Sequence, residues 1–97
     1  MLDGVRMKTL THGERTLFSE FRFVKGAIVP VHSHVQEQTG YVVSGSLKFT
    51  IDGQITIAAP GDSWNIASGM PHGAEALEDS VVVEVFSPVR EDYLPKV

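Results

Sequence analysis

The strongest constraint on what this chain can fold into is a side-chain period of two. In "TLFSEFRFV" (Thr16 to Val24), Leu17, Ser19, Phe21 and Phe23 alternate with Phe18, Glu20, Arg22 and Val24. Successive side chains of a β-strand point to opposite faces, so alternation of this kind marks a strand with one buried side. In "SLKFTIDGQITIAAPGD", Leu47, Phe49 and Ile51 fall on one face. Asp52-Gly53 then supplies the positive-φ residues of a tight hairpin, and Ile55 and Ile57 continue the return strand. Pro60-Gly61-Asp62 ends it, and "SWNI" (Ser63 to Ile66) is a short strand. "SGMPHG" (Ser68 to Gly73) is a turn-rich approach to His72, and "SVVVEVFS" (Ser80 to Ser87) is the most β-prone run. No segment carries a helical stripe. Short strands separated by Gly, Pro and Asp turns specify an all-β sandwich or barrel, here one domain over residues 1–97. The tail "REDYLPKV" is polar and is expected on the surface or against a neighbouring subunit.

Composition narrows the function classes. Apolar residues make up 42% and charged residues 21%, an ordinary globular balance. A net charge of -4 without a basic block argues against nucleic acid. There is no cysteine, hence no disulfide framework and no thiolate ligand. No apolar run is long enough to span a membrane, and "MLDGVRMKTLTHGER" lacks the apolar stretch of a signal peptide, so a soluble cytoplasmic protein is the expectation. A chain of 97 residues buries a modest core, and small barrels expose a sheet edge. A homodimer is therefore expected, with the N-terminal strand around Thr16 to Val24 and the face carrying Val81, Val83 and Val85 as contributors.

The chemistry-bearing residues are histidines. In "VPVHSHVQEQTGYVVSG" (Val29 to Gly45), His32 and His34 share a face if the segment is a strand. Gln38 lies four positions past His34, an even spacing, whereas Glu37 is at odd spacing and should point away. His72 comes about forty residues later, behind a turn, on what should be a neighbouring strand. Three imidazoles and one oxygen donor suit a divalent transition metal (Zn, Ni, Mn, Fe or Cu) and leave coordination positions open. The alternative is surface or core histidines without metal, and the clustering of three weighs against it. His12, in the polar "THGER", is expected to be exposed and outside the site.

These spacings resemble those of a small single-domain cupin. The first cupin motif matches as Gly26, AIVPV, His32-Ser33-His34, VQE, Gln38, TGYVVS, Gly45. The second matches at Gly61, Gly69 and His72, with Ala67 where the motif has proline and Ala76 where it has asparagine. The resemblance implies a jelly-roll barrel (a double-stranded β-helix) and one divalent transition metal on His32, His34, Gln38 and His72. Gln38 replaces the commoner glutamate, so all four ligands would be neutral. A metal in such a shell keeps its full charge, which favours polarisation of a carboxylate, carbonyl or hydroxyl over oxygen chemistry.

The segments "HSHVQEQTGYVVSG" and "PHGAEALEDSVVVEVFSPVREDYL" are further similar to the KdgF-like pectin-degradation cupins. That group is associated with opening 4,5-unsaturated uronate monosaccharides to linear keto-uronates. By motif position its acid/base aspartate falls on Glu84, its aromatic on Phe86 and its arginine on Arg90. Read from the residues alone, Val82, Glu84 and Phe86 share a strand face opposite Val81, Val83 and Val85. If the valines pack outward, Glu84 faces the barrel interior, where a carboxyl has a raised pKa and suits proton transfer. The other possibility is a solvent-facing glutamate. Arg90 offers a fork for a carboxylate, or pairs with Glu91 or Asp92. Phe86 and Trp64 either wall a pocket or belong to the core.

The expected function is a metal-dependent enzyme with Glu84 and Arg90 as its catalytic pair and a small anionic substrate, a sugar acid. Two alternatives belong to other classes. One is a metal-dependent dioxygenase, which an anaerobic assay separates from the first. The other is a non-catalytic sugar-binding module, which would usually accompany a DNA-binding domain that this chain has no room for.

Overall fold

The computed structural model describes residues 2–94. Nine strands follow one another: β1 (Val5–His12), β2 (Leu17–Phe23), β3 (Ile28–His32), β4 (Glu37–Ser44), β5 (Leu47–Ile51), β6 (Gln54–Ala58), β7 (Ser63–Ile66), β8 (His72–Ala76) and β9 (Ser80–Ser87). A single 3-10 turn, Glu91–Tyr93, is the only helical element among the described residues. The strands form two antiparallel sheets. One has the order β1-β2-β9-β4-β7 and the other β3-β8-β5-β6, a two-layer jelly-roll arrangement. Among the described residues no helix is long and apolar enough to cross a membrane.

The alternation in the sequence is the alternation in space. On β2, Leu17, Ser19, Phe21 and Phe23 are buried, and on β9 Ser80, Val82, Glu84 and Phe86 are. Their registered pairs Phe21–Val82, Ser19–Glu84 and Leu17–Phe86 lay inward-facing rows across the sheet. Leu47 and Phe49 of β5 face them from the second layer, and the two inner faces close one apolar core. Ser19, fully buried, is satisfied by donating its Oγ–H to the Glu84 carbonyl at 3.2 Å. Removing a side chain as enclosed as Phe86 costs about 3–5 kcal/mol in comparable cores.

The β5–β6 hairpin forms as its sequence specifies. Asp52 (φ 50°) and Gly53 (φ 79°) occupy the two positive-φ positions between Ile51 and its partner Gln54. Ile55 and Ile57, however, remain 66% and 54% exposed, on the outer face of an edge strand.

Three expectations change. The first strand is β1, not the segment from Thr16 to Val24. That segment forms β2, which is paired on both sides and offers no free edge; the edge belongs to β1. His12 ends β1 rather than lying in a turn, and it is exposed as expected. The tail does not simply run over the surface. Tyr93 and Leu94 pack against the core, and the Tyr93 carbonyl accepts a hydrogen bond from Thr9 Oγ1 at 2.5 Å. The last three residues of the tail lie outside the described residues.

Candidate metal centre

His32 and His72 are direct cross-strand partners in the β3–β8 ladder, so their imidazoles face the same side, with ring centroids 4.4 Å apart. His34 stands 5.5 Å from His32 and 4.9 Å from His72. One ligand atom from each of the three histidines lies within 4.8 Å of the others. A backbone hydrogen bond from Gly69 N–H to the His34 carbonyl, 2.8 Å, ties the two motif segments together.

The route to this convergence differs from the parity argument. β3 ends at His32, and the chain then crosses from one sheet to the other through 33–36. His34 sits in that crossing, and Gln38 sits on β4 in the opposite sheet. The site is thus closed from both layers: histidines from the four-stranded side and the crossing, the amide from the five-stranded side. Glu37 points outward, as expected, and accepts a hydrogen bond from Asn65 Nδ2 at 3.0 Å.

Hydrogen bonding fixes what each donor offers. Nδ1 of His32 lies 2.9 Å from the Pro30 carbonyl, Nδ1 of His34 3.0 Å from that of Gln36, and Nδ1 of His72 2.8 Å from that of Met70. A carbonyl can only accept, so each Nδ1 carries a proton and each neutral ring presents a bare Nε2. Burial holds the pKa of His34 and His72 below the ordinary imidazole value, with the Arg90 charge adding to the effect, so the metal-binding neutral form is favoured. Nε2 of His72 is buried with no hydrogen-bond partner. Nε2 of His34 lies 3.1 Å from Oε1 of Gln38, two acceptor atoms with no hydrogen to share. Converging lone pairs and an orphaned buried nitrogen are the surroundings a cation satisfies, and backbone carbonyls on the far ring nitrogens are the usual supports of metal-ligating imidazoles. The donor set therefore fits a divalent transition metal.

Glu84 lies beside this cluster, not in solvent. It is 6% exposed, and its Oε2 accepts from Gln38 Nε2 and, at 3.3 Å, from Trp64 Nε1. Burial pushes its pKa up to about 7, against the smaller pull of these two hydrogen bonds and of Arg90. A cavity of about 380 Å³ opens between the sheets here. His32, His72, Gln38, Glu84, Phe86 and Arg90 line its polar end, and Phe21, Phe23, Val5 and Phe49 lie on its apolar walls.

Arg90 pairs with Asp92, one of its two expected neighbours, and also faces the cavity. It lines the cavity, stacked with its Cζ 4.2 Å from the Tyr93 ring centroid and 5.3 Å from that of Phe86. One edge of its guanidinium is already taken by Asp92, through Nε at 3.3 Å and Nη2 at 3.0 Å. Phe86 is both core and cavity wall. Trp64 is not a wall. It stands behind the wall residue Phe49, at 4.4 Å between centroids, and donates its N–H to Glu84. Sequence reasoning missed Tyr93, which lines the cavity; the pair Tyr93-Leu94 in an otherwise polar tail was the available signal.

Comparison with known proteins agrees with this geometry. A family model described as "Cupin domain" matches residues 19–87. Pectin degradation protein KdgF of Dickeya dadantii is 35% identical over 94 residues, 95% of this chain and 86% of that protein. The structure of KdgF from Halomonas sp. superposes with a TM-score of 0.90 at 35% identity, covering 94% of this chain and 84% of that one. An RmlC-like cupin from Shewanella frigidimarina gives a TM-score of 0.91 at 32% identity, covering 94% and 82%. With strand order, motif residues and whole-chain similarity in agreement, this chain belongs to the cupin family, among relatives that include KdgF.

Proposed function

We propose that the protein is a metal-dependent enzyme that opens 4,5-unsaturated uronate monosaccharides to linear keto-uronates. The similarity to proteins named for pectin degradation supports the substrate class. The observation that carries the reaction type is Glu84, a buried carboxyl with a pKa near neutrality, one hydrogen bond away from a cluster of metal-type donors. A divalent transition metal on His32, His34, Gln38 and His72 supplies Lewis acidity toward a substrate oxygen when bound, undiminished by ligand charge.

The chain's own groups do the rest. A carboxyl titrating near pH 7 can both take and return a proton at neutral pH. Glu84 takes the proton of the anomeric hydroxyl as the C1–ring-oxygen bond breaks. This leaves an aldehyde at C1 and an enolate across C4 and C5. Glu84 then returns the proton to C4, and the enolate oxygen becomes the C5 ketone. No atom is gained or lost. Arg90, held against the rings of Tyr93 and Phe86, presents the guanidinium edge that Asp92 leaves free to the substrate carboxylate. The apolar walls keep bulk water from the enolate.

The protein would work as a homodimer. The outer face of the five-stranded sheet carries Val81, Val83 and Val85 with the exposed Tyr41 and Val43, an apolar stripe suited to a second copy.

The test is direct. Metal-reconstituted protein is mixed with a 4,5-unsaturated galacturonate, and the ultraviolet absorbance of the conjugated double bond is followed. The expected result is its loss well above the spontaneous rate, with the keto-uronate appearing by NMR. Decay no faster than in buffer would discard the uronate reading.

A further inference from the structure

Register places four residues in one row across the five-stranded sheet. Ser19 of β2 pairs with Glu84 of β9, Glu84 with Gly40 of β4, and Gly40 with Trp64 of β7. Gly40 has no side chain, and the indole of Trp64 lies across the space this leaves; a Cβ at position 40 would overlap the ring. Through that slot Trp64 Nε1 reaches Glu84 Oε2 at 3.3 Å. Gln38 donates to the same oxygen and turns its own Oε1 toward His34 Nε2, 3.1 Å away. The groups form a chain running Trp64–Glu84–Gln38–His34.

Most links in this chain are ambiguous. A carboxyl can accept or, when protonated, donate, and a side-chain amide can turn either end toward a neighbour. An indole N–H is donor only. It makes Oε2 of Glu84 an acceptor and disfavours a proton there, since the indole and the Gln38 amide both point hydrogens at that oxygen. An accepting Oε2 selects the N–H end of the Gln38 amide. The amide oxygen is thereby committed to the histidines. Turned the other way, Gln38 would aim N–H protons at the bare nitrogens, repel a cation and supply no ligand.

We propose that Trp64, admitted by Gly40, is a positioning residue that sets the polarity of this chain and so presents the carbonyl of Gln38, rather than its N–H, to the metal site. The proposal rests on the metal reading for its consequence, though not for its geometry. Trp64 does not line the cavity, and its one polar link to the site is its N–H on Glu84, beside the apolar contact it makes with Phe49.

The experiment has a metal-free arm and a metal arm. In wild-type protein freed of metal, NMR should show a slowly exchanging Trp64 indole proton, with a cross-relaxation contact to a Gln38 side-chain amide proton. The Trp64→Phe variant keeps an aromatic ring and removes the donor. Its Gln38 amide resonances should move by more than the changes at comparable distances elsewhere in the sheet. Competition against a chromogenic chelator should show Zn²⁺ affinity about 10-fold weaker in Trp64→Phe, at the lower end of what outer partners of metal ligands contribute. In a Gln38→Ala background the same substitution should cost nothing further, because the amide it orients is gone. Unmoved Gln38 resonances, or an equal loss of affinity with and without Gln38, would overturn the proposal. If Trp64→Phe does not fold, a fast-exchanging wild-type indole proton without that contact would overturn it alone. Wild-type protein that takes up no Zn²⁺ removes the metal reading instead, and the amide resonances then decide the polarity claim.

Discussion

Gln38 gives its side-chain N–H to the carboxylate of Glu84 and keeps its carbonyl oxygen 3.1 Å from Nε2 of His34. One neutral side chain therefore joins the candidate acid/base to the candidate metal centre. The pairing spans two adjacent strands, since Gln38 on β4 lies opposite Phe86 of β9, two residues from Glu84 on the same face. Because both ends of the amide are engaged, a change at either neighbour is felt at the other.

The metal-free protein should carry a pH signature of Glu84. Burial raises its pKa from 4.5 to about 7, so the folded state holds this proton more tightly than the unfolded state. The resulting stability is fully present below about pH 4.5 and is lost as pH rises through about 7. A shift of this size corresponds to something on the order of 3 kcal/mol. His34 and His72 act in the opposite sense, since their lowered pKa values favour folding above the ordinary imidazole value and oppose it as pH falls. Comparing urea midpoints of chelator-treated wild type and Glu84→Gln from pH 4.5 to 8 isolates the carboxyl. The variant should lose the decline that wild type shows between those limits. Parallel curves would mean that Glu84 is not held protonated by its surroundings.

Glu84→Gln and Arg90→Lys should separate chemistry from binding. The first preserves shape and an accepting oxygen for Gln38 and Trp64 but removes the titrating proton. Metal content and KM should be little changed, and kcat should fall by about 10²-fold or more. The second loses the planar fork that grips a carboxylate and lies against the rings of Tyr93 and Phe86. It should mainly raise KM. Steady-state kinetics on an unsaturated uronate reads both, and full activity of Glu84→Gln would remove it from the proton-transfer role.

Static light scattering at micromolar concentration should give twice the chain mass. Charging the stripe on the five-stranded sheet, for example by Val83→Glu with Tyr41→Glu, should return the mass to that of a monomer. A wild-type monomer would contradict the dimer.

Much of the fold could be read from the sequence because burial on one face imposes a period of two, as in β2, β5 and β9. The Asp52-Gly53 hairpin was equally legible, since its backbone angles favour those residue types. β1 was less so: Val5, Met7 and Thr9 are its inward residues, but Thr9 is polar and they alternate with Arg6 and Lys8 on a mostly exposed edge, which weakens the pattern. At the site, the histidine cluster followed from spacing, but for a partly different reason. Even spacing between His34 and Gln38 does not express a single strand; it accompanies a crossing between sheets through 33–36. The role of Trp64 could not be read at all. It depends on a glycine, Gly40, that lies between Trp64 and Glu84 only by register, and register between distant segments leaves no local mark in the sequence.

The central claim is that three bare Nε2 atoms and one amide oxygen hold a metal. Elemental analysis of untagged protein, purified and then reconstituted with divalent transition metals and freed of excess, tests it most directly. The account predicts one equivalent per chain, with most of the affinity lost in His34→Ala while the fold, followed by far-ultraviolet circular dichroism, is retained. Protein that emerges from reconstitution without stoichiometric metal would contradict it.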